Sequence, residues 1–172
     1  MNAEEPKPDT LALSLGAMLA RFWLAARAIQ TGIEKYAGST LSETAVSING
    51  QPNTYGLTDG AATKGYALAN YHGVPAALYD KFAGEPFMAG WALKLFDKTL
   101  GPALILLGVT ILLGVASRIS LFALGLLYIG LTWGLILIRE DSGVAWLAAH
   151  MILIIAALAL VRYDRLRILK KW

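Results

Sequence analysis

The chain has 172 residues, of which 56% are hydrophobic and 16% charged, and its mean hydropathy is +0.54. Because a soluble domain carries about a quarter charged residues, this composition predicts an integral membrane protein. The formal net charge of +3 argues against nucleic acid as a partner. The absence of cysteine excludes disulfides, thiol redox chemistry and cysteine-held iron–sulfur clusters.

Four long apolar segments follow one another along the chain, and a single membrane crossing needs about 20 apolar residues. We therefore predict an all-α membrane protein, a four-transmembrane-helix bundle that forms a single domain over residues 1–172. The predicted spans cover about 11–33, 99–116, 119–138 and 144–161.

A polar insert, residues 34–98, separates the first two spans and is much longer than a usual loop. Within it, Asn49-Gly50 predicts the turn of a β-hairpin, and the stretch PAALYDKFA predicts a short helix. The stretch PFMAGWALKLFDKTL predicts an amphipathic interfacial helix, which Gly101-Pro102 would separate from the second span. We expect the insert to be an ordered outer loop that caps the bundle.

The other connections are short, and Ser117 with Arg118 is predicted to form the turn between the second and third spans. Positive charge is concentrated beside the cytoplasmic ends of spans. The tail after the fourth span is basic, which places both termini in the cytoplasm and residues 34–98 outside. Its basic residues are Arg162, Arg165, Arg167, Lys170 and Lys171.

The first span contains two arginines, although a charge at the bilayer centre costs roughly 3 kcal/mol or more. Arg21 is predicted to lie near the midplane, and no Asp or Glu occurs inside any predicted span. We therefore expect its partner to be a backbone carbonyl, a hydroxyl, His150, water or a bound ligand. At roughly 100° per residue, one helix stripe contains Arg21, Ala25, Ala28, Gly32 and Lys35.

Arg27 lies on the opposite side of this helix and is predicted to be at a depth similar to that of His150. Arg27 could instead extend to the headgroups or pair with Glu34, and His150 could be only a hydrogen-bonded residue between helices. One histidine in the spans is insufficient for a bis-histidine haem, and no metal-ligand spacing is present. We therefore predict no haem, no metal site and no catalytic residue in this chain alone.

Two short motifs point to a family. Arg21 is followed by Gly32-x-x-Lys35, and the second span ends in Gly114-x-x-Ser117-Arg118. With four spans, this pattern resembles the DoxX-like family of bacterial and archaeal membrane proteins, and the resemblance covers all four spans. It implies a four-helix bundle in the cytoplasmic membrane with both ends in the cytoplasm, and matched positions at Arg21, Gly32, Lys35 and Arg118.

The long insert is similar to the enlarged first outer loop of the DoxD-type branch, which includes a membrane subunit of thiosulfate:quinone oxidoreductase. The resemblance thus implies a partnership with redox enzymes. Because the chain lacks cysteine, any sulfur chemistry would have to proceed without a protein thiol.

The leading hypothesis is a membrane subunit of a quinone-linked redox complex, of a respiratory or sulfur-oxidising type, rather than an enzyme that acts alone. Arg21, Arg27 and His150 would bind quinone by hydrogen bonding to its headgroup or by stabilising its reduced anion. The insert would dock another subunit or cover the site. Two alternatives stay open: a structural or assembly subunit, and a small transporter or lipid-binding protein with its arginines facing a hydrated cavity.

Overall fold

Five α-helices form most of the computed structural model, which describes residues 9–45, 47–52 and 58–168. Four of these helices are long and apolar enough to cross a membrane, which confirms the predicted four-span bundle. The tail residues Lys170 and Lys171 lie outside the described residues. The helices are α1 (Thr10–Glu34), α2 (Ala76–Ala83), α3 (Gly90–Leu113), α4 (Ser117–Leu137) and α5 (Asp141–Leu160).

The turn between α3 and α4 occupies residues 114–116. Gly114, with φ of +68°, ends α3 in the left-handed conformation that glycine adopts without a Cβ penalty. Ser117 and Arg118 already belong to the first turn of α4. The predicted turn at these two residues is therefore wrong by about one helical turn, because the left-handed glycine ends the preceding helix earlier.

α3 is one continuous helix from Gly90 to Leu113, with Pro102 in its interior. The predicted break at Gly101-Pro102, between an interfacial helix and the second span, is therefore wrong. A proline removes one backbone hydrogen bond but is tolerated where neighbouring elements satisfy the freed groups. Here the Tyr71 hydroxyl of the cap donates to the Asp97 carbonyl oxygen at 2.6 Å and accepts from the Gly101 backbone N–H at 3.3 Å, so the cap bonds to the turn of α3 that precedes the proline.

The four membrane helices are arranged in a ring in the order α1, α3, α4, α5. α1 and α3 run antiparallel and approach each other closely. A Cβ on Gly32 would lie 2.6 Å from Ile105 Cγ1 and 3.0 Å from the Gly101 carbonyl oxygen, and one on Gly108 would lie 2.9 Å from the Ile29 backbone nitrogen. Glycine therefore permits backbone contact here, as in the small-residue interfaces of membrane helices.

The core lies where the four helices meet, and its side chains are aliphatic. The predicted stripe of α1 is confirmed, because Arg21, Ala25, Ala28 and Gly32 are buried and Lys35 is half-buried beyond the helix end. The largest fully buried apolar side chains are Leu24, Leu104, Ile111, Leu121, Leu124 and Ile154.

The insert forms a cap between α1 and α3. At the Asn49-Gly50 turn both residues have positive φ, of 54° and 78°, as a two-residue hairpin requires. The predicted hairpin and the short helix α2 are thus confirmed, although residues 46 and 53–57 lie outside the described residues. The antiparallel strand pairs are β1 (Ala37–Ala45) with β4 (Thr58–Tyr66) and β2 (Ser47–Ile48) with β3 (Gln51–Pro52).

We name the two ends of the bundle by these features. The cap end carries the β-strands and α2. The tail end is the opposite one, where α3 and α5 finish and the chain continues into residues 161–168.

Candidate functional site

Arg21 forms a buried ion pair at the tail end. Its Nη1 donates to Asp164 Oδ2 at 2.6 Å and to the Leu166 carbonyl oxygen at 2.8 Å. Arg21 is 3% exposed and Asp164 is 6% exposed. The prediction that Arg21 has no carboxylate partner is therefore wrong, because the carboxylate comes from a residue 143 positions later, beyond the last membrane helix.

Residues 164–168 form a strap across the tail end. Within it, the backbone N–H of Leu166 donates to Asp164 Oδ1 at 3.3 Å. The backbone N–H of Ile168 donates to the Leu113 carbonyl oxygen, also at 3.3 Å, at the last turn of α3. The strap is thus tied to α3 by its backbone and to α1 by the ion pair of Asp164.

Gly114 is the point at which strap and bundle meet. A Cβ at this position would lie 2.8 Å from the Cα of Arg167 and 3.1 Å from Arg21 Nη1. The two motifs that carry the family resemblance therefore have packing roles in this fold. Gly32 lets α1 approach α3, and Gly114 lets the strap pass beneath α3.

Arg27 and His150 line one cavity of about 230 Å³. Their predicted similar depth is thereby confirmed, whereas Arg21 is absent from the cavity wall. All four membrane helices contribute to this wall. The other lining residues are Thr31, Leu104, Tyr128, Leu131, Trp146 and Leu147.

Aromatic rings join the two basic side chains. The Arg27 Cζ atom lies 5.8 Å from the centre of the Trp146 ring, within the range of a cation–π contact. The Trp146 and His150 ring centres are 5.2 Å apart. Tyr128 meets His150 edge to face, with centres 5.8 Å apart and planes at 80°, a favoured aromatic geometry. The cavity therefore combines flat apolar walls with polar edges.

The hydrogen bond of His150 defines its tautomer. Its Nδ1 lies 2.9 Å from the carbonyl oxygen of Trp146, one helical turn earlier. Since a carbonyl oxygen only accepts, Nδ1 carries the proton, and Nε2 is an acceptor when the ring is neutral. His150 is 5% exposed. Nε2 is consequently the atom through which this buried ring can take up or return a proton.

Arg27 has one buried donor without a partner. Its Nη1 donates to Gln30 Oε1 at 2.6 Å, but among the described residues none accepts from its buried Nε. The alternative pairing with Glu34 is wrong, because that carboxylate accepts from Lys64 Nζ at 2.7 Å and from the Tyr66 hydroxyl at 3.1 Å. An unsatisfied buried donor costs about 1–3 kcal/mol, and the Nε of Arg21 also lacks an acceptor among the described residues.

Sequence reasoning missed two contributors. Asp164 is the only acidic residue in the basic tail, residues 162–172, and that isolation among arginines was the available signal. Trp146 lies four residues before His150, a spacing that places both side chains on one helix face.

No family model, curated protein or solved structure matches this chain. The resemblance to the DoxX-like family therefore stays a prediction that depends on the motifs at residues 21–35 and 114–118.

Proposed function

We propose that this chain is a membrane subunit of a quinone-linked redox complex, with a quinone headgroup held in the cavity of Arg27 and His150. The guanidinium-bearing side chain of Arg27 on the wall of a cavity with aromatic residues is the observation that carries this proposal. A quinone presents carbonyl oxygens at the edge of a flat apolar ring. It therefore offers an acceptor for the Arg27 guanidinium and a surface that suits Tyr128 and Trp146.

Each polar group has a distinct part in the proposed site. The guanidinium of Arg27 would donate to a carbonyl oxygen, and the hydroxyls of Thr31 and Tyr128 are further donors on the same wall. His150 would hold a proton at Nε2 or accept a hydrogen bond there, depending on its charge. A bound quinone supplies two-electron, two-proton chemistry, and a redox-active partner subunit would be the source or recipient of the electrons.

Arg21 is outside this proposed site. Its Nη1 donates to both Asp164 and Leu166 at the tail end, and Arg21 is absent from the cavity wall, so we assign it the role of fastening the strap to α1. That role replaces the quinone contact expected from its position within the first span.

The cavity has room for a headgroup but not for a long tail. Its volume of about 230 Å³ is below the roughly 300–1,000 Å³ of sites for drug-sized ligands. A separate apolar groove of about 310 Å³ between α4 and α5 shares Leu147 with the cavity and includes the exposed residues Trp133 and Ile136. The isoprenoid tail of a quinone would lie in this groove, in contact with lipid.

The test uses the full chain, purified in mild detergent and titrated calorimetrically with decylubiquinone. Arg27→Gln and Tyr128→Phe each remove one donor, whereas Arg118→Gln, at an exposed position away from the cavity, is the matched control. A hydrogen bond that involves a charged group contributes about 1.5–3 kcal/mol, so we expect the Kd of Arg27→Gln to rise roughly ten- to a hundredfold. Tyr128→Phe should weaken binding less, and Arg118→Gln should match the unaltered protein.

Two results would contradict the proposal. The first is saturable decylubiquinone binding that is equally tight in Arg27→Gln and in the unaltered chain. The second is a lack of binding to the unaltered chain, both alone and with the subunits that co-purify from its native membrane. Co-purification of redox subunits without any quinone binding would favour the structural or assembly alternative.

A further inference from the structure

A second and larger cavity lies at the cap end. It shares Leu131 with the headgroup cavity proposed above and Trp133 with the groove proposed for the isoprenoid tail, but contains neither Arg27 nor His150. Its volume is about 330 Å³, and its walls come from α2, α3, α4 and the segment that precedes α2. Phe82 and Leu93, 8% and 4% exposed, form its deep side. Phe82 also lies against Gly134, where a Cβ would be 3.4 Å from its ring. The cap is thus packed against α4, and the cavity is built into the fold.

The cavity has a single charged residue among those described in its wall, Lys35. Burial lowers the pKa of Lys35, and the nearby Asp97 carboxylate partly opposes that effect. The Oδ1 of Asp97 accepts from the backbone N–H of Val74 at 2.7 Å, and no carboxylate of the described residues forms an ion pair with Lys35. A half-buried ammonium beside an apolar space lacks most of the stabilisation that water would give it, so an anion placed there is favoured.

The cavity borders the surface of α4 that faces away from the bundle. Trp133 lines the cavity although it is 60% exposed, and the neighbouring wall residue Gly130 is exposed as well. In a membrane this surface contacts lipid. A ligand dissolved in the bilayer could therefore enter sideways, with its polar end at the level of Lys35, beside the cap.

We propose that this cavity binds a long-chain fatty acid, with its carboxylate paired to the Lys35 ammonium and its chain among the apolar residues of α3 and α4. One cation matches one anionic headgroup, and the apolar wall matches a hydrocarbon chain. The volume is at the lower end of the range for single small ligands, which favours one chain over the two chains of a diacyl lipid. Lateral access from the bilayer suits a ligand of this kind.

The experiment measures binding of radiolabelled oleate to the full chain in nanodiscs of neutral phosphatidylcholine. Lys35→Met removes the charge but keeps the length of the side chain, and Lys35→Arg keeps the charge. Lys98→Met, at an exposed position of α3 outside the cavity, is the matched control. We expect Lys35→Met to weaken oleate binding roughly tenfold or more, while Lys35→Arg and Lys98→Met retain it.

The carboxylate of the ligand and the space in the cavity are tested separately. Oleyl alcohol, which has the same chain without the carboxylate, should bind weakly to the unaltered chain and equally weakly to Lys35→Met. Ala92→Phe, which adds a ring inside the cavity, should reduce oleate binding without removing the charge. Arg27→Gln should leave oleate binding unchanged, so this result is independent of the quinone proposal.

Several outcomes would overturn the assignment. Equal oleate affinity in Lys35→Met and the unaltered chain is one, and equal loss in Lys35→Met and Lys98→Met is another. Displacement of oleate by dioleoyl phosphatidylglycerol at equal or lower concentration would show instead that the cavity prefers a diacyl anionic lipid.

Discussion

Removal of the Asp164 carboxylate should destabilise the whole bundle, although this residue lies beyond the last membrane helix. Asp164→Asn keeps the size of the side chain but leaves the Arg21 guanidinium, 3% exposed, without its counter-ion. Breaking a buried ion pair by removing one partner typically costs 3–5 kcal/mol. Arg21 would keep its bond to the Leu166 carbonyl oxygen and gain a neutral amide oxygen, so we expect about 3 kcal/mol, the lower end of that range.

The measurement is the free energy of unfolding in mixed micelles, by titration with sodium dodecyl sulfate and circular dichroism. Asp80→Asn, on the exposed surface of α2, is the matched control and should stay within about 0.5 kcal/mol of the unaltered chain. The double variant Arg21→Met with Asp164→Leu removes both charges. Since apolar replacement of a buried pair is often neutral, it should be more stable than Asp164→Asn. An equal free energy of unfolding for Asp164→Asn and Asp80→Asn would refute the predicted role of this ion pair.

Two further predictions concern other parts of the fold. Gly108→Ala should destabilise the chain by about 1–3 kcal/mol in the same titration, because its Cβ would lie 2.6 Å from Ile29 Cγ1. Gly130→Ala, whose Cβ would meet only an ordinary contact at 3.8 Å, is its control, and equal effects would contradict this explanation. Oleate binding should fall as pH rises through the pKa of the Lys35 ammonium. Because burial lowers that pKa, the fall should occur at a lower pH than for an exposed lysine. The carboxylate of oleate stays ionised over that interval, and Lys35→Arg should show no such fall, because guanidinium does not lose its proton.

Local patterns predicted much of the fold. The four spans follow from runs of apolar residues, and the stripe of small residues on α1 follows from the helical repeat. The Asn49-Gly50 hairpin follows from a conformational preference of two adjacent residues. These features depend on neighbours in sequence or on contact with the bilayer, so no tertiary information is needed to find them.

The errors have a common physical cause. α3 continues through Pro102 because the cap and the neighbouring helix hold it there, and a proline considered alone predicts a break. The pairing of β1 with β4 joins residues on either side of the Asn49-Gly50 hairpin and was not predicted. Both features depend on packing between segments that are distant in sequence. The conformational preferences of single residues carry no information about that packing.

Some features of the candidate site also follow from the sequence alone, whereas others depend on the tertiary structure. The sequence by itself determined that Arg27 and His150 lie at one depth, because each residue's position along its helix sets its depth. Only the tertiary structure decided that Arg27 keeps an unsatisfied Nε beside a cavity, and that Glu34 pairs with Lys64 instead. It also decided that Arg21 pairs with Asp164, a residue of the strap that packs against the bundle. The physical reason is that a buried charge is satisfied by whichever group the folded chain brings within hydrogen-bond distance, at any separation in sequence.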